Sequence, residues 1–103
     1  MIAMSIRDWF RTGDRGDPVE LVLYTRKPCP LCDEMKHEIA RAALDAPHTL
    51  REVDIESDPA LIELHGRSIP VLAIDGRIAF KGRLTARDLS RKVDRARSEK
   101  RRA

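Results

Sequence analysis

Only two of the 103 residues are cysteines, Cys29 and Cys32, and whatever chemistry they do they do together. No run approaches the ~20 apolar residues that a membrane-spanning helix needs, so a membrane protein of that kind is excluded. The start, Met1-Ile2-Ala3-Met4, lacks a basic stretch followed by a long apolar one, so a signal peptide is not expected. Two cysteines without an export signal point to a reducing, cytoplasmic setting. There a C-x-x-C is catalytic or metal-binding more often than a structural staple. Internal repeats and low-complexity tracts are also absent.

What remains is enough for one domain. Hydrophobic residues make up 42% of the chain and charged residues 36%, which implies a single core under a well-solvated surface. The net charge of +3 is unevenly spread: Arg91 to Ala103 is strongly basic while the body is nearly balanced. A basic end can bind nucleic acid or acidic lipid. The expectation here is a solvated helix end that frays into a tail, with no nucleic-acid and no membrane partner.

Residues 1–17 read as an extension in which Ile6, Trp9 and Phe10 share one face of a short helix, followed by a Gly13–Pro18 linker. Trp9, the only tryptophan, is expected to pack on the domain. Val19–Tyr24 is an almost continuous apolar run, as in a strand buried on both faces. After the cysteines, Cys32, Met35, Ile39, Ala42 and Ala43 form a helical stripe, and Ala46-Pro47 marks its end. Leu50–Ile55 is the next strand. Asp58-Pro59 then starts a helix, with Leu61, Ile62 and Leu64 on its apolar side and Gly66 just past its end.

Two strands separated by so short a helical interval imply a parallel β-α-β unit. Pro70–Ile74 and Arg77–Phe80 flank Asp75-Gly76, a hairpin signal. Thr85 and Asp88 resemble a capping box opening a last helix, with Leu84 and Leu89 as its staple and Leu89, Val93 and Ala96 as its buried stripe. The order is β-α-β-α-β-β-α over residues 18–97, with 98–103 as a basic tail.

The cysteines fall where this pattern turns from strand to helix. Residues three apart lie on one helix face, and the separation suits a disulfide. Cys29 at the helix start would have its thiolate favoured by free N–H groups and the macrodipole. Arg26 and Lys27 act in the same sense and Asp33 and Glu34 in the opposite one. Cys29 is therefore expected to be the exposed, low-pKa attacking thiol and Cys32, on the buried stripe, the resolving one.

Tyr24-Thr25-Arg26-Lys27-Pro28-Cys29-Pro30-Leu31-Cys32 resembles the glutaredoxin stretch that contains Cys-Pro-Tyr-Cys. Gly66-Arg67-Ser68-Ile69-Pro70 resembles the segment ending Thr-Val-Pro, and Gly82-Arg83-Leu84-Thr85 falls where glutaredoxins carry a Gly-Gly pair. The resemblance implies an α/β thioredoxin-like fold, a four-stranded mixed sheet flanked by helices, and thiol–disulfide oxidoreductase activity. Cys29 and Cys32 would be catalytic. Pro70 would be a cis-proline, and the backbone of Ile69 would pair with substrate. Arg26, Arg67 and Thr85 would grip glutathione, and Lys27 and Pro30 would complete the substrate surface.

Leu31 in place of tyrosine, Arg83 in place of glycine and Val71 after the proline depart from the family pattern. A redoxin reset by a flavoprotein reductase fits the same residues. The implied partners are a disulfide-bearing protein or a glutathione mixed disulfide, with a reductase or glutathione as reductant. No bound cofactor or metal is expected, and the default state is a monomer. Two alternatives stay open: a metal or iron–sulfur carrier through thiolates shared between two copies, and a non-catalytic interaction module.

Overall fold

The computed structural model describes residues 18–102. The extension with Ile6, Trp9 and Phe10, and the expected packing of Trp9, lie outside those residues. Val19–Thr25 forms strand β1 at the interior of the sheet, pairing in parallel with β2 (His48–Asp54) and antiparallel with β3 (Val71–Ile74). β4 (Arg77–Lys81) pairs antiparallel with β3, so the order is β2-β1-β3-β4. Helix α1 (Pro30–Ala42) links β1 to β2. A single 3-10 turn (Ile55–Ser57) and α2 (Pro59–His65) link β2 to β3, and α3 (Ala86–Arg102) closes the chain. This is the expected element order, and the sheet is mixed as expected.

Alternation along β1 decides the layers. Val19, Leu21 and Leu23 belong to one buried cluster with Met35 and Ile39 of α1, Leu72 and Ile74 of β3, and Leu84, Leu89 and Val93 around α3. Tyr24 points to the other face and stacks on His65 of α2, ring centroids 4.5 Å apart. The continuous apolar run of β1 is thus explained by two covered faces. β2 is an edge strand, exposed along nearly all its length.

Several boundaries and faces differ from the sequence expectation; β2 starts at His48 and ends at Asp54, which leaves Ile55 to the 3-10 turn. α1 stops at Ala42, before Ala46-Pro47, because Ala43 is left-handed (φ 46°). Turning there lets Leu44 pack on the core and buries Ala46, and it leaves Ala43 exposed, off the stripe. On α2, Leu61 is half-buried, but Ile62 and Leu64 are 36% and 70% exposed. Leu61 and the stacked His65, four residues apart, take the buried face of this short helix and turn Leu64 to solvent.

Gly66 follows α2 as expected, yet in ordinary right-handed conformation. Glycine is needed there for space, since a Cβ would lie 2.5 Å from the Ile62 carbonyl oxygen. Finally, α3 continues to Arg102 and does not end at 97. Lys100 Nζ donates to the Pro18 carbonyl at 2.8 Å and pairs with Asp75 at 3.3 Å, which fastens that last stretch to the sheet.

The β3–β4 connection is the two-residue turn the Asp75-Gly76 pair suggests. Both residues have positive φ (51° and 83°), as a type I′ turn requires. Asp75 also accepts from the Glu20 amide at 2.9 Å, while its own amide donates to the Glu20 carbonyl at 2.8 Å. A register shift at Leu72/Ala73 places an extra residue in β4, so Phe80 opposes Leu72 and Ile78 opposes Ala73.

Candidate active site

Cys29 is the N-cap of α1. Its backbone is extended (φ −155°), and its Sγ accepts from the Cys32 amide at 3.1 Å. Pro30 takes the first helical turn, where its missing N–H costs nothing. The Cys29 carbonyl accepts from the Asp33 amide. Cys29 and Cys32 are joined as a disulfide with Cα atoms 5.2 Å apart. Cys29 is half-buried, whereas Cys32 keeps only 2% of its surface. An accessible first sulfur and a sheltered second one are what the helical stripe predicts.

Strand register brings the proline segment to the same end of the sheet. Tyr24 opposes Val71, so Pro70 lies beyond it, level with the end of β1 from which the Cys29 loop springs. The Ile69–Pro70 bond is cis, as the resemblance implies; the Lys27–Pro28 bond is also cis, which no residue pattern announced. Pro70 is fully buried and its carbonyl accepts from the Gly82 amide at 2.7 Å, tying the β4–α3 turn to the site. The Ile69 amide donates to the His65 carbonyl at 3.1 Å, so the fold already uses it.

The residues offered for glutathione are placed less uniformly. Arg26 Nε is bonded to Glu56 Oε2 at 2.9 Å, a partner thirty positions away in sequence. Lys27, Pro30 and Arg67 are exposed. The Thr85 hydroxyl accepts from the Asp88 amide at 3.1 Å, the capping role its position suggests. Below the cysteines, Lys36 pairs with Glu52 at 2.9 Å and more loosely with Asp33 at 3.8 Å. The hydrogen bond and charge of Glu52, then of Asp33, hold the Lys36 ammonium above the usual lysine range. No group of three or more potential metal-ligating side chains occurs among the described residues.

A groove of about 1020 Å³ runs between α1 and the β4–α3 turn, lined by Glu34, Glu38, Phe80, Arg83 and Thr85 among others. Within it Glu38, from the middle of α1, reaches across to accept the Ala86 amide at 2.9 Å. One helix therefore caps the start of another. Sequence reading misses this contact because the partners are forty-eight positions apart and nothing local to either records it. Replacing Glu38 with Ala should cost about 0.5–2 kcal/mol, as lost N-caps do, and Gln should recover most of it. Urea unfolding of the two variants checks this; equal losses would show that charge, not the hydrogen bond, matters.

The fold and the site together define a class: thioredoxin-fold proteins with a redox-capable cysteine pair at the start of a helix. Residues 20–94 match the Glutaredoxin-like domain (DUF836), and the chain belongs to that family. Its structure is similar to that of a structural-genomics target protein from X. campestris, 32% identical. That match covers 73% of this chain and 96% of that one, with a TM-score of 0.64. Desulfothioredoxin from Desulfovibrio vulgaris Hildenborough is 26% identical over 81% of this chain and 85% of its own, with a TM-score of 0.57. A thioredoxin from Halobacterium salinarum shares the fold at 18% identity, with a TM-score of 0.58 over 89% and 82% of the two chains.

Proposed function

We propose that this protein is a dithiol thiol–disulfide oxidoreductase. The observation that carries the reading is the asymmetry of the pair. Cys29 Sγ sits half-exposed at a helix start and accepts a backbone N–H, while Cys32 is buried one turn behind it. In the reduced protein the same N–H and the helix start favour negative charge on Cys29 sulfur. That thiolate attacks one sulfur of a substrate disulfide, forms a mixed disulfide and expels the other sulfur as a thiolate. The Cys32 thiolate then attacks Cys29 sulfur, breaks the mixed disulfide and releases the second substrate thiol. Two electrons have passed to the substrate, and the Cys29–Cys32 bond holds the oxidised protein until an external thiol, glutathione or a reductase dithiol, resets it.

An incoming substrate strand would pair with the Ile69 carbonyl, because the Ile69 amide is already bonded. Glutathione is the less favoured substrate in this reading: of the residues offered for its grip, Arg26 and Thr85 are engaged within the fold. Equilibration of the protein in glutathione redox buffers, read by mass spectrometry, tests the proposal. The expected result is a clean two-electron transition of the Cys29–Cys32 pair at roughly −200 to −270 mV, the glutaredoxin-to-thioredoxin range. If no intramolecular disulfide forms at any poise, the reading is wrong.

A further inference from the structure

Charge is segregated along this chain, and the sheet carries part of that segregation to its two edges, although α1 itself packs beside α3. Residues 29–75 contain ten Asp and Glu against four Lys and Arg, whereas residues 77–102 contain three against eleven. The first set builds α1, β2 and α2; the second builds β4 and α3, and the sheet order puts β2 and β4 at opposite edges. On the basic side Lys81, Arg87, Arg91, Lys92 and Arg95 are all exposed, and none forms an ion pair among the described residues. Arg87, Arg91 and Arg95 follow one another at steps of four, on one stripe of α3. Like charges at that spacing weaken a helix by a few tenths of a kcal/mol per pair. The stripe thus costs the isolated domain stability and gains from an acidic surface laid against it.

Two contacts make this edge continuous with the cysteine site. The Gly82 amide donates to the Pro70 carbonyl at 2.7 Å, and Arg83 lies 3.8 Å from Glu34 on the first turns of α1. Between β4 and α3 a smaller cavity of about 260 Å³ is lined by Phe80 together with Asp88, Arg91, Lys92 and Arg95, one aromatic contact beside three cations and one carboxylate. We propose that the β4–α3 edge is the docking surface for this protein's redox partner, a protein whose surface beside its disulfide is acidic. The proposal rests on the oxidoreductase reading above. A nucleic acid fits less well: it carries no disulfide for the adjoining pair.

The test uses the full chain, reduced, and two synthetic peptides that carry a cysteine activated as a thiopyridyl disulfide. One peptide is rich in glutamate; in its twin every glutamate is glutamine. Released thiopyridone reports the rate. The acidic peptide is expected to react roughly tenfold faster at low salt, the lower end of electrostatic steering. The difference should vanish near 1 M salt, where the Debye length is about 3 Å. A triple variant, R87E/R91E/R95E, should lose the preference while reacting with the glutamine peptide at the wild-type rate. R87Q/R91Q/R95Q serves as a second variant should charge reversal impair folding. Equal rates for the two peptides at low salt would overturn the proposal. So would that result with tight, salt-sensitive binding of a DNA duplex that the triple variant loses, which would assign the edge to nucleic acid. No reaction with even the glutamine peptide would sink the oxidoreductase reading, and the docking proposal with it.

Discussion

Replacing Cys29 with Ser is expected to reduce the proposed disulfide exchange to the uncatalysed background, and replacing Cys32 with Ser to arrest it at a mixed disulfide. The two substitutions are chemically identical, so the difference comes from position. Cys29 alone combines exposure with a backbone N–H aimed at its sulfur. Without it the remaining thiol, at 2% exposure, cannot be reached by a substrate disulfide. Without Cys32 the attack on substrate proceeds, but no second thiolate lies one turn away to break the bond it makes. Mass spectrometry after mixing with a disulfide substrate should therefore find the substrate's mass on Cys32→Ser and nothing on Cys29→Ser. A substrate adduct on Cys29→Ser would reverse the assignment of nucleophile.

The largest effect on stability is expected at Leu89. It is fully buried where α3 meets the sheet, in the same cluster as Leu21, Leu23, Met35 and Ile39. Leu89→Ala removes apolar contact and leaves a cavity, at a cost of about 2–5 kcal/mol. Against a total of roughly 5–15 kcal/mol for a domain this size, that is enough to unfold a large fraction at moderate denaturant. Leu64→Ala is the matching control. At 70% exposure it should move stability by no more than about 0.5 kcal/mol. Urea midpoints for the pair decide the matter, and similar shifts would mean that the core is not where the structure puts it.

Much of this was legible in the residues because the signals are local. Asp75-Gly76 specifies a turn that needs two positive φ values, Asp58-Pro59 and Thr85 start helices, and the Cys32–Met35–Ile39 stripe buries the second cysteine and spares the first. Each of these depends on neighbours within one or two turns of chain, so sequence order carries the information. Where the expectation failed, a contact from another element had intervened. Leu64 has the composition of a core residue, but His65 stacks on Tyr24 and sets which side of α2 is buried. The end of α3 has the composition of a tail, but Lys100 is held by Pro18 and Asp75.

The sequence by itself thus determined the order of elements, the cysteine pair at a helix start, and which thiol is accessible. Tertiary structure alone decided that Arg26 is occupied by Glu56, that Glu38 caps α3, and that the turn between the basic β4 and α3 is tied to Pro70. The physical reason is range. Propensity, capping and periodicity act over a few residues. Hydrogen bonds and ion pairs between distant segments exist only once the sheet has fixed which strand lies next to which.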